Sequence, residues 1–279
     1  MADGGRLLVC ATPIGNLGDV SDRLREVLQT VDVVYAEDTR RTATLLRHVG
    51  ASPTVRSMFV GNEKKRTVDL LAALDQGLMV ALVTDAGMPT ISDPGSDVVR
   101  LAREAGHLVT VVPGPSAVVA SVALAGFGGD RFVFEGFLPR KGKERSARLA
   151  RIDREDRPVV LFVSPHRLVA DLESIAAATG VEREIVITRE MTKLHEEVWS
   201  GSVGKAIEEW SDREVKGEVT VVVAPGPSES PSLDSAVAEA RGLVDGGVSP
   251  SEAARRAAAA TGVSRRDIYQ VLIGDQEPS

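Results

Sequence analysis

Residues 79–105 read MVALVTDAGMPTISDPGSDVVRLAREA, and the order of residue types in them decides the fold. The run 79–84 is apolar up to its closing threonine and lacks strict alternation, as a strand covered on both faces does. A loop rich in glycine, proline and aspartate follows at 85–95. Such residues make tight turns, and the helix start behind them offers free N–H groups. A helical pattern then fills 96–105.

The same alternation runs outward from this stretch. Strands are predicted at 7–11, 31–36, 79–84, 108–112, 131–134, 159–164, 184–188 and 219–224, with a weaker one at 55–59. Helical patterns fill 22–30, 39–48, 64–76, 96–105, 116–125, 143–152, 165–178 and 203–210. Strands alternating with helices predict an α/β fold with largely parallel sheets. The punctuation agrees. Ser164-Pro165 reads as an N-cap followed by proline at the first helical position, Gly106 suits a helix end, and Ser249–Glu252 reads as a capping box.

A chain of 279 residues suggests about two domains. The glycine-rich stretch 126–129 marks one boundary and the proline- and serine-rich stretch 225–232 a second. The division expected is 1–126, 127–228 and a helical tail, 229–279, with helices near 233–246, 250–261 and 265–273. The last two, joined by Thr261-Gly262-Val263, make a helix-turn-helix in the plain sense. From residue 250 on, four arginines face four acids, which favours a hairpin packed on its own protein over a DNA reader.

Composition narrows the class. Apolar residues at 43% and charged residues at 26% exclude wholesale disorder. The single cysteine, Cys10, excludes an intrachain disulfide and an all-cysteine zinc site, and one thiol fits a reducing cytoplasm. Residues 1–5 followed by a short apolar run do not form a secretory signal. The uncharged stretch 108–129 approaches the length of a membrane span, but Pro113-Gly114-Pro115 divides it into a strand, a turn and a helix. A soluble protein without membrane partners is expected.

The net charge of −7 argues against general nucleic-acid binding, but its distribution does not. Residues 40–66 carry net +6 and residues 138–157 net +4, leaving −17 on the rest. Two basic islands in an acidic chain can form a focused phosphate-binding surface. The plainer alternative is a solvated helix face, since Arg145, Arg148, Arg151 and Arg154 recur every third residue.

Three loops, 11–19, 84–95 and 113–117, each follow a predicted strand. In open α/β sheets the carboxyl ends of strands form the ligand crevice. None of the loops is a G-x-G-x-x-G or a Walker lysine loop, which disfavours nicotinamide or nucleoside triphosphate ligands. Singly they could be no more than tight turns, with Asp85 and Asp93 as turn residues. The four histidines are scattered, and no metal-ligand spacing is present.

Taken together and in order, the motifs are specific. ATPIGNLGD (11–19), AEDTR (36–40), TDAGMPTISDPG (84–95), PGPSA (113–117), FEGFLPRKGKER (134–145), TREMTKLHEE (188–197) and KGE (216–218) resemble the ribosomal RNA small subunit methyltransferase I family. Its members are cytidine-2′-O-methyltransferases of the tetrapyrrole-methylase-like class that uses S-adenosylmethionine (SAM). The resemblance spans about residues 6–224. One departure stands at Phe59-Val60-Gly61-Asn62-Glu63, where the family has a His-Glu-His-Asn-Glu-like stretch. Only Asn62 and Glu63 match, so Gly61 is given no catalytic role.

The resemblance implies two α/β domains, of the class III SAM methyltransferase type, with SAM between them, a small helical extension and a homodimer. It places Leu17, Asp85, Gly87 and Met88 on the cofactor from the first domain, with Ser116 and Ala117 at a helix start. Phe162, Val163, Met191, Gly217 and Glu218 would close over it from the second. Methyl transfer needs alignment and exclusion of water, and a ribose hydroxyl also needs a base or a nearby cation. Lys193 is the candidate for stabilising the oxyanion, and Glu190 or His195 for taking the proton. The alternative is a charged loop with internal ion pairs.

An rRNA substrate in the small ribosomal subunit gives the basic islands a purpose. Arg40, Arg41, Lys64, Lys65 and Arg66 become candidate phosphate contacts, as do Arg140, Lys141 and Arg145. Asp38 and Asn62 join them as substrate candidates, with Asp38 alternatively a helix cap. With aromatic residues at only 4%, base stacking is expected to be sparse, Phe137 beside Arg140 being an exception. Two other readings stay open: a precorrin-type tetrapyrrole C-methyltransferase, and a SAM-binding ribosome assembly factor without turnover.

Overall fold

The apolar runs of the first half pair into one sheet. In the computed structural model, which describes residues 5–226 and 233–274, β1 (Arg6–Cys10), β2 (Val33–Ala36), β3 (Thr54–Ser57), β4 (Met79–Val83) and β5 (Leu108–Val112) lie in the order β3-β2-β4-β1-β5. Every pair in this sheet is parallel. Parallel neighbours need crossover connections. Four of these are helices α1 (Asp22–Thr30), α2 (Thr39–Val49), α3 (Glu63–Asp75) and α4 (Ser96–Glu104). One face packs Leu24, Leu28 and Leu46 on Cys10 and Val34; the other packs Leu70, Leu74 and Val98 on Leu7, Tyr35 and Leu82. Covering on both faces is why these strands read as unbroken apolar runs. Burial pushes the Cys10 thiol up to about 12, which leaves it without a reactive thiolate.

The strand order sets up the crevice. β4, β1 and β5 are neighbours and parallel, so the loops that leave their carboxyl ends share one edge of the sheet.

The second sheet holds β6 (Val133–Phe137), β7 (Val159–Val163), β8 (Glu184–Arg189), β9 (Glu197–Ser202) and β10 (Val219–Val223) in the order β6-β7-β10-β8-β9. Here the expectation of largely parallel strands is corrected. Only β6 and β7 run parallel; β10 is antiparallel to β7 and β8, and β9 to β8. The physical reason is loop length. Residues 190–196 join β8 to β9, too few for a crossover, so the two form a hairpin. β9 is not among the strands expected from the sequence, where the charged loop ends at Glu197 and no element is assigned before residue 203.

Helices α6 (Lys143–Arg154), α7 (Leu168–Thr179) and α8 (Val203–Trp210) build one core with this sheet, where Trp210, Leu168 and Leu172 meet Leu161, Ile187 and Val221. α5 (Ala117–Ala125) covers other residues of the sheet through Val118 and Val122 against Val160 and Val222. α5 begins directly after the first sheet's last loop yet packs on the second sheet. The sequence boundary at 126–129 therefore separates patterns, while the packing is continuous, and both sheets belong to one compact unit ending at Gly226.

A second unit contains α9 (Leu233–Asp245), α10 (Pro250–Thr261) and α11 (Arg265–Gly274). Its core joins Ala236, Ala240, Ala253, Ala257, Ile268 and Leu272. Ser249 caps α10 by accepting the Glu252 N–H, and Gly262 ends it at φ 74°. Glu252 pairs with Arg255 and Arg256 of its own helix. Residues 227–232 of the proline- and serine-rich break lie outside the described residues. Among the described residues, no helix is long and apolar enough to cross a membrane.

One candidate phosphate contact is engaged inside the fold. Arg145 Nη2 lies 2.8 Å from Asp171 Oδ1 and 2.8 Å from Ser174 Oγ, while its Nη1 donates to the Pro139 carbonyl. With its side chain 11% exposed, Arg145 ties α6 to α7 instead of facing solvent. Arg167 also reaches Asp171, at 3.0 Å. Arg145→Ala should therefore lower the unfolding free energy by about 2–3 kcal/mol, below the full effect of breaking a buried pair because Arg167 remains. Urea denaturation followed by circular dichroism reads this. An unchanged midpoint would mean that the guanidinium is free for outside contacts.

Candidate active site

The three loops at the edge of the first sheet are pinned to one another. Thr12 and Gly87 exchange backbone hydrogen bonds of 2.8 and 3.1 Å. The Thr12 hydroxyl donates to the Thr84 carbonyl. Gly87 sits at φ 80°, a conformation that favours glycine, and leaves the backbone open there. Gly114 lies so close to the first loop that a Cβ on it would meet Ala11 Cβ at 3.0 Å. Ser116 caps α5, accepting the Val119 N–H at 3.5 Å. Glu63 holds the middle loop from outside, its carboxylate accepting the Gly95 N–H at 2.8 Å.

These loops and the second sheet enclose a cavity of about 470 Å³. The first half contributes Ile14, Glu37, Arg41, the 85–88 turn and Ser116-Ala117; the second half contributes Phe137, Phe162-Val163, Met191 and Gly217-Glu218. A further cavity of about 390 Å³ adjoins it, lined by Leu17, Thr42, Thr44 and Lys193, and shares Ile14, Arg41, Asp85 and Glu218 with the first.

The larger cavity is acidic. Thr84 Oγ1 lies 2.8 Å from Glu37 Oε2 and 2.7 Å from Asp93 Oδ2. A hydroxyl carries one proton and cannot donate to both. The second contact is satisfied when Asp93 is protonated and donates to Thr84. Burial, reinforced by the charges of Glu37, Asp85 and Glu218, pushes the Asp93 carboxyl up to about 6, against the lowering effect of the Thr84 bond. Asp85 accepts the Asp38 N–H at 2.9 Å and faces Arg41 Nε at 3.5 Å.

The β8–β9 hairpin loop supplies a compact charged knot. Lys193 Nζ lies 2.6 Å from Glu190 Oε1 and 3.1 Å from Glu218 Oε2. Burial pulls the Lys193 ammonium down, but the bonds and charges of Glu190 and Glu218 outweigh it and hold it above its usual value. Burial likewise pushes Glu190 up, and Lys193 with the Glu218 amide outweighs it, leaving Glu190 below its usual range. The close packing depends on two glycines. A Cβ on Gly217 would meet Glu190 Cδ at 2.3 Å, and one on Gly15 would meet Lys193 Cγ at 2.4 Å.

Strain concentrates in the two facing loops. Among the described residues, the non-glycine positions with positive φ are Thr90 at 75°, Ser92 at 66°, Glu190 at 51° and Thr192 at 66°. Each costs on the order of 1–3 kcal/mol and persists only where the surroundings enforce it. Thr192 Oγ1 is also buried without a hydrogen-bond partner, against the wall formed by Gly15.

The structure brings most of the sequence-predicted positions together. Asp85, Gly87, Met88, Ser116, Ala117, Phe162, Val163, Met191, Gly217 and Glu218 line the larger cavity, and Leu17 lines the adjoining one. Lys193 lines the adjoining cavity and bonds Glu190, which, like the exposed His195, lines neither. Asp38 caps α2 through the Arg40 N–H and also grips the Arg40 guanidinium, which is 90% exposed. Arg41 lines both cavities, while Lys64, Arg140 and Lys141 are exposed on the outer surface. Asn62 is used in its own turn, accepting the Phe59 N–H and donating to Ser57. Sequence reasoning did not single out Glu37 or Thr84 and took Asp93 for a turn residue. The signal available was a carboxylate directly after β2 and a hydroxyl directly after β4, two neighbouring strands.

The lining fits SAM. The volume lies within the range of cofactor pockets, the walls combine apolar side chains with open backbone, and four carboxylates (Glu37, Asp85, Asp93, Glu218) suit a cationic ligand. Asp93 also gives a pH test. Its folded pKa is raised, so its contribution is present below the unfolded value near 4 and is lost as pH rises through about 6. Asp93→Asn removes that loss. The variant should be more resistant to urea than the parent at pH 8, by about 1 kcal/mol after allowance for partial exposure, and the advantage should vanish near pH 4. An advantage independent of pH would contradict the raised pKa.

Residues 6–207 match the family described as Tetrapyrrole (Corrin/Porphyrin) Methylases. A Synechocystis protein named Ribosomal RNA small subunit methyltransferase I is 42% identical over 96% of this chain and 98% of its own. The protein of that name from Thermotoga maritima is 46% identical over 79% of this chain and 98% of its own. Among solved structures, a uroporphyrin-III C-methyltransferase from Thermus thermophilus, complexed with S-adenosylhomocysteine, superposes with a TM-score of 0.57 at 16% identity, covering 80% of this chain and 98% of its own. That last likeness shows the fold alone. The chain belongs to the tetrapyrrole methylase family and, within it, to the ribosomal RNA small subunit methyltransferase I group.

Proposed function

We propose that this protein transfers the methyl group of SAM to the 2′-oxygen of a cytidine ribose in the decoding region of 16S rRNA, within the small ribosomal subunit. The observation that carries the reading is the match over 96% of the chain to a relative named for that rRNA. The site supports it with a cofactor-sized acidic cavity lined by Arg41, and the chain carries further exposed cations at Arg40, Lys64, Arg140 and Lys141. A tetrapyrrole is also an anion, through its carboxylates, so what separates the two substrates is the name shared by relatives at 42–46% identity and not the cations.

Bound in the larger cavity, SAM supplies an electrophilic methyl group on a positively charged sulfur. The chain's own residues do the rest. Gly87 and the Ser116 helix start present open backbone to the cofactor, and Met88, Phe162, Val163 and Met191 keep water away. The carboxylates around Thr84 favour a cation in the cavity. Lys193, held charged, stabilises negative charge developing on the nucleophilic oxygen. Glu190 accepts hydrogen bonds from Lys193 and from the Glu218 amide, so we assign it to positioning Lys193. His195 stands in solvent on the same loop as the remaining proton acceptor.

Arg40, Arg41, Lys64, Arg140 and Lys141 contact phosphates and set the register of the RNA, while Asp38 and Asn62 hold the loops beneath them. A homodimer acting in the cytoplasm completes the reading. Edge strand β5 and helix α5 expose Leu108, Val111, Val119 and Leu124, apolar surface that a second copy would cover.

Radiolabelled SAM and small subunits lacking the modification test the activity. Label is expected on a cytidine ribose after nuclease digestion and mass analysis. Lys193→Ala should lower kcat by at least about 10²-fold, the size of losing one oxyanion-stabilising donor, and weaken SAM binding by less, since Glu218 in the cavity wall loses its partner. Label on a base, or none with SAM still bound, would contradict the reaction assigned.

A further inference from the structure

Phe137 reaches the cavity through an irregularity in its strand. In a regular strand, side chains alternate between faces, so residues 134 and 137 would point to opposite sides. In β6 the register shifts between Phe134 and Gly136: Phe134 pairs with Val160 and Phe137 with Phe162. Val160 and Phe162 lie on one face of β7, so the extra residue turns both phenylalanines onto that face. The rings bear this out, with centroids of Phe134 and Phe137 at 5.0 and 5.6 Å from that of Phe162.

The bulge is built in. Gly136 takes φ 63°, and Arg148 donates to the Glu135 carbonyl at 3.1 Å. The inner part of this aromatic row packs under α5. Its outer end, Phe137, touches the Phe162 ring, lines the cavity and is still 55% exposed, so part of its ring remains open to an incoming group. Arg140 and Lys141 follow it by three and four residues, both exposed.

We propose that Phe137 is the stacking platform for the base of the target nucleotide, with Arg140 and Lys141 on its flanking phosphates. Single-stranded RNA is recognised by stacking splayed bases on aromatic side chains, and a nucleotide that brings its 2′-oxygen into the cavity can place its base on such a face. Phe162, deeper in the row, faces the cofactor; Phe137, at the solvent side beside the cations, faces what arrives from outside. The inference rests on the RNA reading above and names the specificity element within it.

Phe137→Ala, Phe137→Leu and Phe137→Trp test it. The first measurement is fluorescence of an unpaired oligoribonucleotide carrying pyrrolo-cytidine, titrated with protein saturated in SAM. Quenching by the parent and by Phe137→Trp, weakened for Phe137→Ala and Phe137→Leu, is the expected result. With undermodified subunits, Phe137→Ala should raise KM or lower kcat/KM by about five- to a hundredfold, the range of one lost stacking contact. SAM affinity by calorimetry should stay within twofold of the parent. Equal quenching by parent and Phe137→Ala would overturn the proposal, as would a loss of SAM affinity matching the loss of activity, which would make Phe137 a cofactor wall. A parent that quenches through Phe137 yet labels no subunit would keep the platform and remove the rRNA reaction.

Discussion

Lys193 is the constraint on which the site depends. Its ammonium bridges Glu190 on the β8–β9 hairpin loop and Glu218 just before β10, while its stem lies against Gly15 of the first sheet's leading loop. Two charged carboxylates held this near each other in a partly dry site repel, and the cation between them offsets that repulsion. The cation in turn fits only because Gly217 and Gly15 lack side chains. The strained backbone at Glu190 and Thr192 is held by the same contacts. Removing any one of these parts therefore changes the position of the others.

The fold delivers the remaining parts by topology. A fully parallel sheet aligns the loops after β4, β1 and β5, and two backbone hydrogen bonds between Thr12 and Gly87 fix the first two together. The second sheet need not be parallel, since its contribution comes from a hairpin and from strand ends. α5 joins the two by starting at the cavity and packing on the second sheet's Val160 and Val222. The two halves consequently share a rigid wall at the point where the cofactor's surroundings must be fixed. Burial and the neighbouring carboxylates around Thr84 raise the Asp93 carboxyl, so the cavity is one in which positive charge is favoured.

The sequence made the first sheet readable because burial on both faces leaves apolar runs bounded by glycine and proline loops. It hid β9, which pairs with β8 in unbroken register but whose half-buried side, Glu197, Trp199 and Gly201, carries only one large apolar residue. The positions that line the larger cavity were legible through the motif order. The roles of charged residues were not, because ion pairing is set by tertiary distance. Arg145 and Arg140 stand five residues apart in one basic island, yet one is locked to Asp171 and the other is exposed. Phe137 illustrates the same limit: its direction depends on a bulge, and no spacing rule places the extra residue.

The most direct test of the account is a crystal structure with S-adenosylhomocysteine. The account predicts the ligand in the 470 Å³ cavity, against Gly87, the Ser116-Ala117 helix start and Met191, with Lys193 still bridging Glu190 and Glu218 beside it. A ligand seated instead in the adjoining cavity along Leu17 and Thr44, or a Lys193 released from both carboxylates, would contradict it.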